Sequence, residues 1–104
     1  MAEFEWAAHA DELAVGDRKM VIVDDTPVLL FRTDDGFHAI EDICTHDGQP
    51  LTDGPFNGQT ITCPRHGAQF DIKTGQPTCM PATEAVTTFE VEVVANDVRI
   101  RPHC

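Results

Sequence analysis

Two pairs of cysteine and histidine are the residues of this sequence best suited to chemistry. Cys44 and His46 are two positions apart, and after sixteen intervening residues Cys63 and His66 follow, three positions apart. Side chains two apart in an extended segment point to the same side, so the first pair can face one centre. The ends of a four-residue turn lie within about 7 Å, and Pro64 suits its second position, so the second pair can face that centre too. Thiolate and imidazole suit both zinc and iron–sulfur clusters, so ligand type alone leaves the metal open.

Strand-like segments on both sides of this region predict an all-β protein. They consist of β-branched and aromatic residues, and turns rich in Asp, Gly and Asn separate them. The predicted strands cover 4–8, 19–23, 28–32, 37–40, 59–62, 88–93 and 98–101. The clearest hairpin is the last, which alternates apolar and polar residues and turns at 95–97. Residues 44–81 are rich in Gly, Pro, Asp and Thr, which indicates that the candidate ligands lie on loops of a β scaffold.

Size and charge restrict the possible functions. The chain has 104 residues, enough for one domain, and its formal net charge of -11 disfavours nucleic acid and anionic membranes as partners. Basic protein surfaces are the expected partners, and we expect a monomer. No apolar run approaches the ~20 residues of a membrane-spanning helix, and the first residues lack the features of a secretory signal, which predicts a cytoplasmic protein. Trp6 and the six phenylalanines are expected in the core.

The complete cysteine and histidine pattern resembles that of the Rieske family, in which Cys-x-His is followed by Cys-x-x-His. The similarity continues through 53–54, 67–71 and 74–75 to 80–82, which resembles the proline-bearing loop covering the cluster in relatives. The resemblance implies a single Rieske domain over 1–104. Its antiparallel sheets would form a sandwich or barrel-like base from 1–42 and 83–104, and a small cluster-binding subdomain of two loops would span about 43–82.

By this resemblance the chain binds one [2Fe–2S] cluster. Cys44 and Cys63 would bind one iron, and His46 and His66 would bind the other through neutral imidazoles. Cys79 and Cys104 have no histidine at ligand spacing, and they are predicted to be a semi-buried apolar residue and a free thiol.

The reduction potential is expected near the low end of the family's range, at about −150 mV. High-potential Rieske proteins carry a disulfide between the two loops and hydroxyl donors to the cluster. Gln49, Arg65 and Ala68 stand at the corresponding places, and the chain has neither serine nor tyrosine.

The resemblance is closest to the ferredoxin component of multicomponent aromatic-ring-hydroxylating dioxygenases. Such a protein is not itself an enzyme: it carries single electrons from an NAD(P)H-dependent flavin reductase to a terminal Rieske non-haem iron oxygenase in the degradation of aromatic compounds. Asp47 precedes Gly48, whereas many of these ferredoxins have glycine directly after the first histidine. One alternative is the Rieske-like small subunit of an assimilatory nitrite reductase. Another is a zinc-stabilised interaction module, although zinc modules usually pair their cysteines as Cys-x-x-Cys.

Overall fold

In a computed structural model of the chain, residues 3–45, 48–64, 67–79 and 84–102 are described. Their regular structure consists of one short 3-10 helix, Ala10–Glu12, and short to medium strands. The strands are β1 Glu5–His9, β2 Arg18–Val23, β3 Thr26–Thr33, β4 Gly36–Glu41, β5 Thr60–Thr62, β6 Gln69–Asp71, β7 Pro77–Cys79, β8 Thr88–Val94 and β9 Asp97–Pro102. The predicted all-β class is therefore confirmed. None of the described helical residues forms a helix long and apolar enough to cross a membrane.

The strands form two antiparallel sheets. The larger sheet has the order β1-β9-β8-β4-β3-β2, and the smaller has the order β5-β6-β7. The edge strands β1 and β2 approach each other, so the larger sheet curls into a nearly closed, barrel-like base. The smaller sheet lies in the part of the chain that also carries the predicted ligands.

The predicted hairpins are present, with slightly shifted ends. The turn between β2 and β3 consists of Asp24 and Asp25, and both have positive φ angles, of 50° and 62°. Positive φ at both central residues is the arrangement of a type I′ turn, whose twist matches the flanking strands. Thr26 and Pro27 were predicted to belong to this turn but already pair with β2 as part of β3. The final hairpin, β8–β9, turns at Ala95 and Asn96, and Asp97, which was predicted in the turn, already pairs with Val94 as part of β9.

Strand β3 is buried on both faces, which explains its continuous apolar run. Val28 and Leu30 face one hydrophobic cluster, inside the barrel-like base. Leu29 and Phe31 point the opposite way and join a second cluster, shared with the segment between β4 and β8. A strand covered on both sides gains from an apolar residue at every position, whereas a strand with one wet face alternates. This second cluster positions the candidate site.

Two parts of the fold differ from the sequence-based expectations. Strands β6 and β7 were not predicted, because each has only three residues and the pairing between them shifts register between Gln69 and Phe70. Trp6 was expected in the core and is 53% exposed, with its indole N–H donating to Asp97 at 3.1 Å. The pairing of β1 with β9 shifts register between Trp6 and Ala8, and the neighbours Ala7 and Ala8 are buried while Trp6 stays at the surface.

Candidate metal centre

The first cysteine loop is closed by its own backbone. The N–H of Cys44 donates to the carbonyl of Gln49 at 2.7 Å, and the N–H of Gly48 donates to the carbonyl of Cys44 at 2.8 Å. Gly48 has a φ of 75°, a left-handed conformation that glycine adopts without strain. A glycine four positions after the cysteine therefore allows the chain to turn back on itself.

The second cysteine loop repeats this arrangement at the same offsets. The N–H of Cys63 donates to the carbonyl of Ala68 at 2.7 Å, and the N–H of Gly67 donates to the carbonyl of Cys63 at 3.1 Å. Gly67 also has a φ of 75°, equal to that of Gly48. The two loops share one backbone design, Cys-x-x-x-Gly, which is visible in the sequence. With Asp47 before it, Gly48 stands four positions after Cys44, as Gly67 stands four positions after Cys63. The apparent departure from the family pattern at Asp47 therefore preserves the spacing of the loop.

Both cysteines are buried in the second hydrophobic cluster. Cys44 is 0% and Cys63 is 1% exposed. The cluster combines side chains from β3, β4 and the segment between β4 and β8: Leu29, Phe31, Ile40, Cys44, Leu51, Ile61, Cys63, Ala68, Phe70, Ile72 and Val86. Half-buried Phe56 packs against it, with its ring centroid 4.6 Å from that of Phe31. The two thiols thus lie in an apolar environment from which bulk water is largely excluded.

Gly54 joins the two loops by a close backbone approach. A Cβ atom at this position would lie 1.7 Å from the carbonyl oxygen of Thr62, the residue that precedes Cys63. The N–H of Gly54 donates to the carbonyl of Leu51 at 3.0 Å, and its carbonyl accepts a hydrogen bond from the Arg18 guanidinium of β2. Gly54 therefore connects the end of the first loop to the start of the second and to the base.

A third segment, entering β8, packs beside the loops. Gly75 has a φ of 77°, and its carbonyl accepts a hydrogen bond from the N–H of Val86 at 2.8 Å. A Cβ at Gly75 would lie 2.2 Å from the Val86 carbonyl oxygen. The hydroxyl of Thr45, next to Cys44, donates to the carbonyl of Glu84 at 2.8 Å. These contacts hold residues 84–86 against both the first cysteine loop and the small sheet.

The structure describes the two cysteines of the predicted ligand set. Cys44 and Cys63 lie in one buried cluster, an arrangement that is compatible with ligands of a single centre. Several residues named in the sequence analysis lie outside the described part of the chain, or have side chains outside it: His46, Asp47, Arg65, His66, Met80, Pro81, Ala82, Cys79 and Cys104. The described residues alone hold no group of three potential metal-binding side chains. The roles of the two histidines remain predictions.

The two described candidate ligands fit an iron–sulfur centre. Cysteine thiolates are the usual ligands of such clusters, and ligands presented from two loops can bind one compact centre. An isolated thiolate in apolar surroundings is strongly disfavoured, and coordination to a metal removes that cost. Sequence reasoning predicted the cysteines as ligands from their spacing, and this stays a prediction. It missed the role of Gly54, because a close approach between distant segments has no local signal.

Comparison with known proteins identifies the family. The Rieske [2Fe-2S] domain family matches residues 3–90, which is most of the chain. The chain belongs to this family. A Rieske domain carries one [2Fe–2S] cluster, so the predicted cofactor is confirmed and the zinc interpretation loses its support.

Individual relatives are ferredoxins, and one of them is named as a dioxygenase ferredoxin subunit. Ferredoxin CarAc of Metapseudomonas resinovorans is 39% identical over 83 residues, which cover 80% of this chain and 78% of the relative. The 3-phenylpropionate/cinnamic acid dioxygenase ferredoxin subunit of Shigella boydii is 39% identical over 80 residues, covering 75% of this chain and 76% of the relative. A chain in a solved complex of reduced oxygenase and oxidised ferredoxin in carbazole 1,9a-dioxygenase aligns with a TM-score of 0.87 and 35% identity, covering 93% of this chain and 91% of that chain. The predicted Rieske fold is confirmed, and the chain is an electron-transfer protein rather than a catalytic enzyme.

Proposed function

We propose that this Rieske protein is the ferredoxin component of a multicomponent aromatic-ring dioxygenase, and that it carries single electrons from an NAD(P)H-dependent flavin reductase to a terminal oxygenase. The observation that carries the proposal is that most of the chain aligns with most of a named dioxygenase ferredoxin subunit and with most of a chain in a solved oxygenase–ferredoxin complex. When bound, the cluster supplies a one-electron redox couple, which suits a carrier between a flavin and an oxygenase.

Within this proposal, residues about 43–82 form the cluster-binding unit. Cys44 and Cys63 bind one iron, and His46 and His66 bind the other. The described geometry supports the cysteine half, because both thiols are buried in one cluster and both loops close in the same way. Buried cysteines cannot contact a partner directly, so other residues of the loops have to form the docking surface.

The substrate oxidised by the system is set by the oxygenase and not by this chain. The two sequence relatives share the same 39% identity with it, yet only one of them is named for phenylpropionate and cinnamic acid. The small subunit of a nitrite reductase is a weaker alternative, because these relatives are ferredoxins. We further propose that the protein acts as a monomer in the cytoplasm.

The test combines metal analysis with spectroscopy and turnover. Anaerobically purified protein should contain iron and acid-labile sulfide in equal amounts and give a rhombic electron paramagnetic resonance signal when reduced. Cys44→Ala and His66→Ala should lose the signal, whereas the control Cys79→Ser should keep it. The reduced wild-type protein should then restore product formation by a purified terminal oxygenase of this class. A colourless protein containing zinc and lacking sulfide would contradict the proposal, and so would an intact cluster that delivers electrons to sirohaem nitrite reductase but not to any oxygenase.

A further inference from the structure

A buried carboxylate stands at the entrance of the first cysteine loop. Asp42 is 7% exposed, and Thr33 and Asp42 are the buried polar side chains of the described part of the chain. Asp42 directly follows β4 and precedes Cys44 by two residues. Carboxylates are seldom buried unless several donors compensate them, so its contacts indicate what it does.

The contacts of Asp42 connect the two ends of the loop. One carboxylate oxygen accepts the N–H of Leu51 at 2.7 Å, and the other accepts the hydroxyl of Thr52. The N–H of Asp42 donates to the carbonyl of Pro27 in β3 at 2.9 Å. Asp42 precedes the first cysteine loop, and its side chain binds Leu51 and Thr52, which follow the loop. The backbone of Asp42 is bound to β3 of the larger sheet.

The hydrogen bonds that close the first cysteine loop lie between the two ends that Asp42 connects. The bond from Cys44 to Gln49 lies inside the segment whose ends Asp42 holds together. Leu51 is fully buried, and its carbonyl accepts the N–H of Gly54, the residue that contacts the second loop. Asp42 therefore acts on the position of Cys44 directly and on that of the second loop through Leu51 and Gly54.

We propose that Asp42 is a positioning residue of the cluster site, and that its buried negative charge also lowers the reduction potential of the cluster. This inference rests on the proposed role of Cys44 as a ligand. The donors that face the carboxylate, a backbone N–H and a hydroxyl, are neutral, so they stabilise the charge without cancelling it. In the low dielectric of the interior, a fixed negative charge next to a ligand residue opposes the addition of an electron.

The charge is tested with Asp42→Asn, and Asp53→Asn is the matched control. The asparagine keeps one oxygen to accept the Leu51 N–H but removes the charge, whereas Asp53 is exposed in the adjacent turn and loses the same charge in water. We expect the equilibrium constant for cluster reduction to rise about tenfold in Asp42→Asn, equivalent to about 59 mV for one electron. In Asp53→Asn it should change less than about twofold, because water and salt screen an exposed charge. Equal midpoint potentials in the two variants would overturn the proposed effect of charge.

The positioning role is tested by hydrogen exchange in the cluster-bearing protein and by cluster retention. Asp42→Ala should speed exchange of the Leu51 amide at least about tenfold, because that amide loses its acceptor, and Asp42→Asn should restore the protection. Iron bound after gel filtration should fall in the alanine variant and recover in the asparagine variant. An unchanged exchange rate of the Leu51 amide in Asp42→Ala would overturn the positioning role of Asp42.

Thr52→Val is a second test of the effect of charge, and it leaves Asp42 itself in place if the Asp42 variants fail to fold. Removal of the hydroxyl leaves the carboxylate less compensated, so the reduction equilibrium should shift in the opposite direction, towards the oxidised protein. A higher or unchanged equilibrium constant for cluster reduction in Thr52→Val would contradict the proposal. Failure of the ligand assignment would look different, because Cys44→Ala would then keep its cluster.

Discussion

At the scale of single residues, Gly54 is the position where side-chain size matters most. Gly54→Ala would place a methyl group 1.7 Å from the carbonyl oxygen of Thr62, and a backbone atom cannot move aside as a flexible side chain can. We expect the free energy of unfolding to fall by about 3 kcal/mol, as for severe overpacking, and the cluster to be lost more rapidly. Urea unfolding and iron release measure the two effects.

Gly58→Ala is the matched control for this substitution. Gly58 has a φ of +98° and open space around it, so an alanine there costs only the strain of a left-handed residue, about 1 kcal/mol. Should the Gly54 variant prove no less stable than the Gly58 variant, the close approach of the two loops is not a constraint on the fold.

The residues that sequence reasoning found and missed differ in the range of their interactions. Cys44 and Cys63 were predicted from local spacing, and both lie in one buried cluster. Gly48 and Gly67 repeat the same offset from their cysteines, a local signal that removes the apparent irregularity at Asp47. Gly54 and Asp42 could not be predicted in the same way, because their partners are eight to ten positions away or in another loop.

At the scale of elements, an ion pair connects the β3–β4 turn to the turn between β6 and β7. Asp35 contacts Lys73, and it also accepts hydrogen bonds from Thr33 and from His38, the latter at 3.1 Å. The hydrogen bond from Lys73, followed by those from Thr33 and His38, holds the pKa of Asp35 well below its ordinary value of 3.8. The same contact raises the pKa of Lys73.

These shifts predict how the link responds to pH. A carboxyl group with a lowered pKa stabilises the fold above its unfolded-state value, and this contribution is lost as pH falls from 3.8 towards the lower folded-state value. At pH 4 the Asp35 carboxyl should therefore remain fully ionised, and Lys73→Met should move its titration up towards 3.8. Carbon-13 NMR of the carboxyl resonance measures this. Titration of Asp35 near 3.8 in the wild-type protein would show that the link does not form in solution.

Strands could be predicted where the residues of a single strand show alternation or a continuous apolar run. The alternation in β8 and β9 and the apolar run of β3 gave strands with nearly correct ends. Strands β6 and β7 have three residues each and depend on partners in the small sheet, so their own sequence carries too little signal. For Trp6 the hydrophobicity of the side chain predicted burial, but Ala7 and Ala8 are buried instead, at a register shift in β1 that has no signal in the sequence.

At the scale of the whole molecule, charge should govern how the protein meets its partners. The formal net charge is -11, and several cations are already engaged within the chain: Lys19 with Glu12, Lys73 with Asp35, and Arg101 with Glu90. The exposed surface therefore presents an excess of carboxylates to a partner. The negative electrostatic field of such a surface speeds association with a basic partner surface, and added salt weakens this attraction.

The last prediction follows from the screening of this field. The Debye length falls from about 10 Å at 0.1 M salt to about 3 Å at 1 M, so long-range attraction between the ferredoxin and its oxygenase is almost abolished. We expect the bimolecular rate constant for electron delivery, measured by stopped-flow oxidation of the reduced ferredoxin, to fall about tenfold over this range. A neutral solute at matched viscosity should leave the rate nearly unchanged, which separates screening from slower diffusion. A rate constant independent of salt would mean that the acidic surface serves solubility and that docking relies on short-range contacts alone.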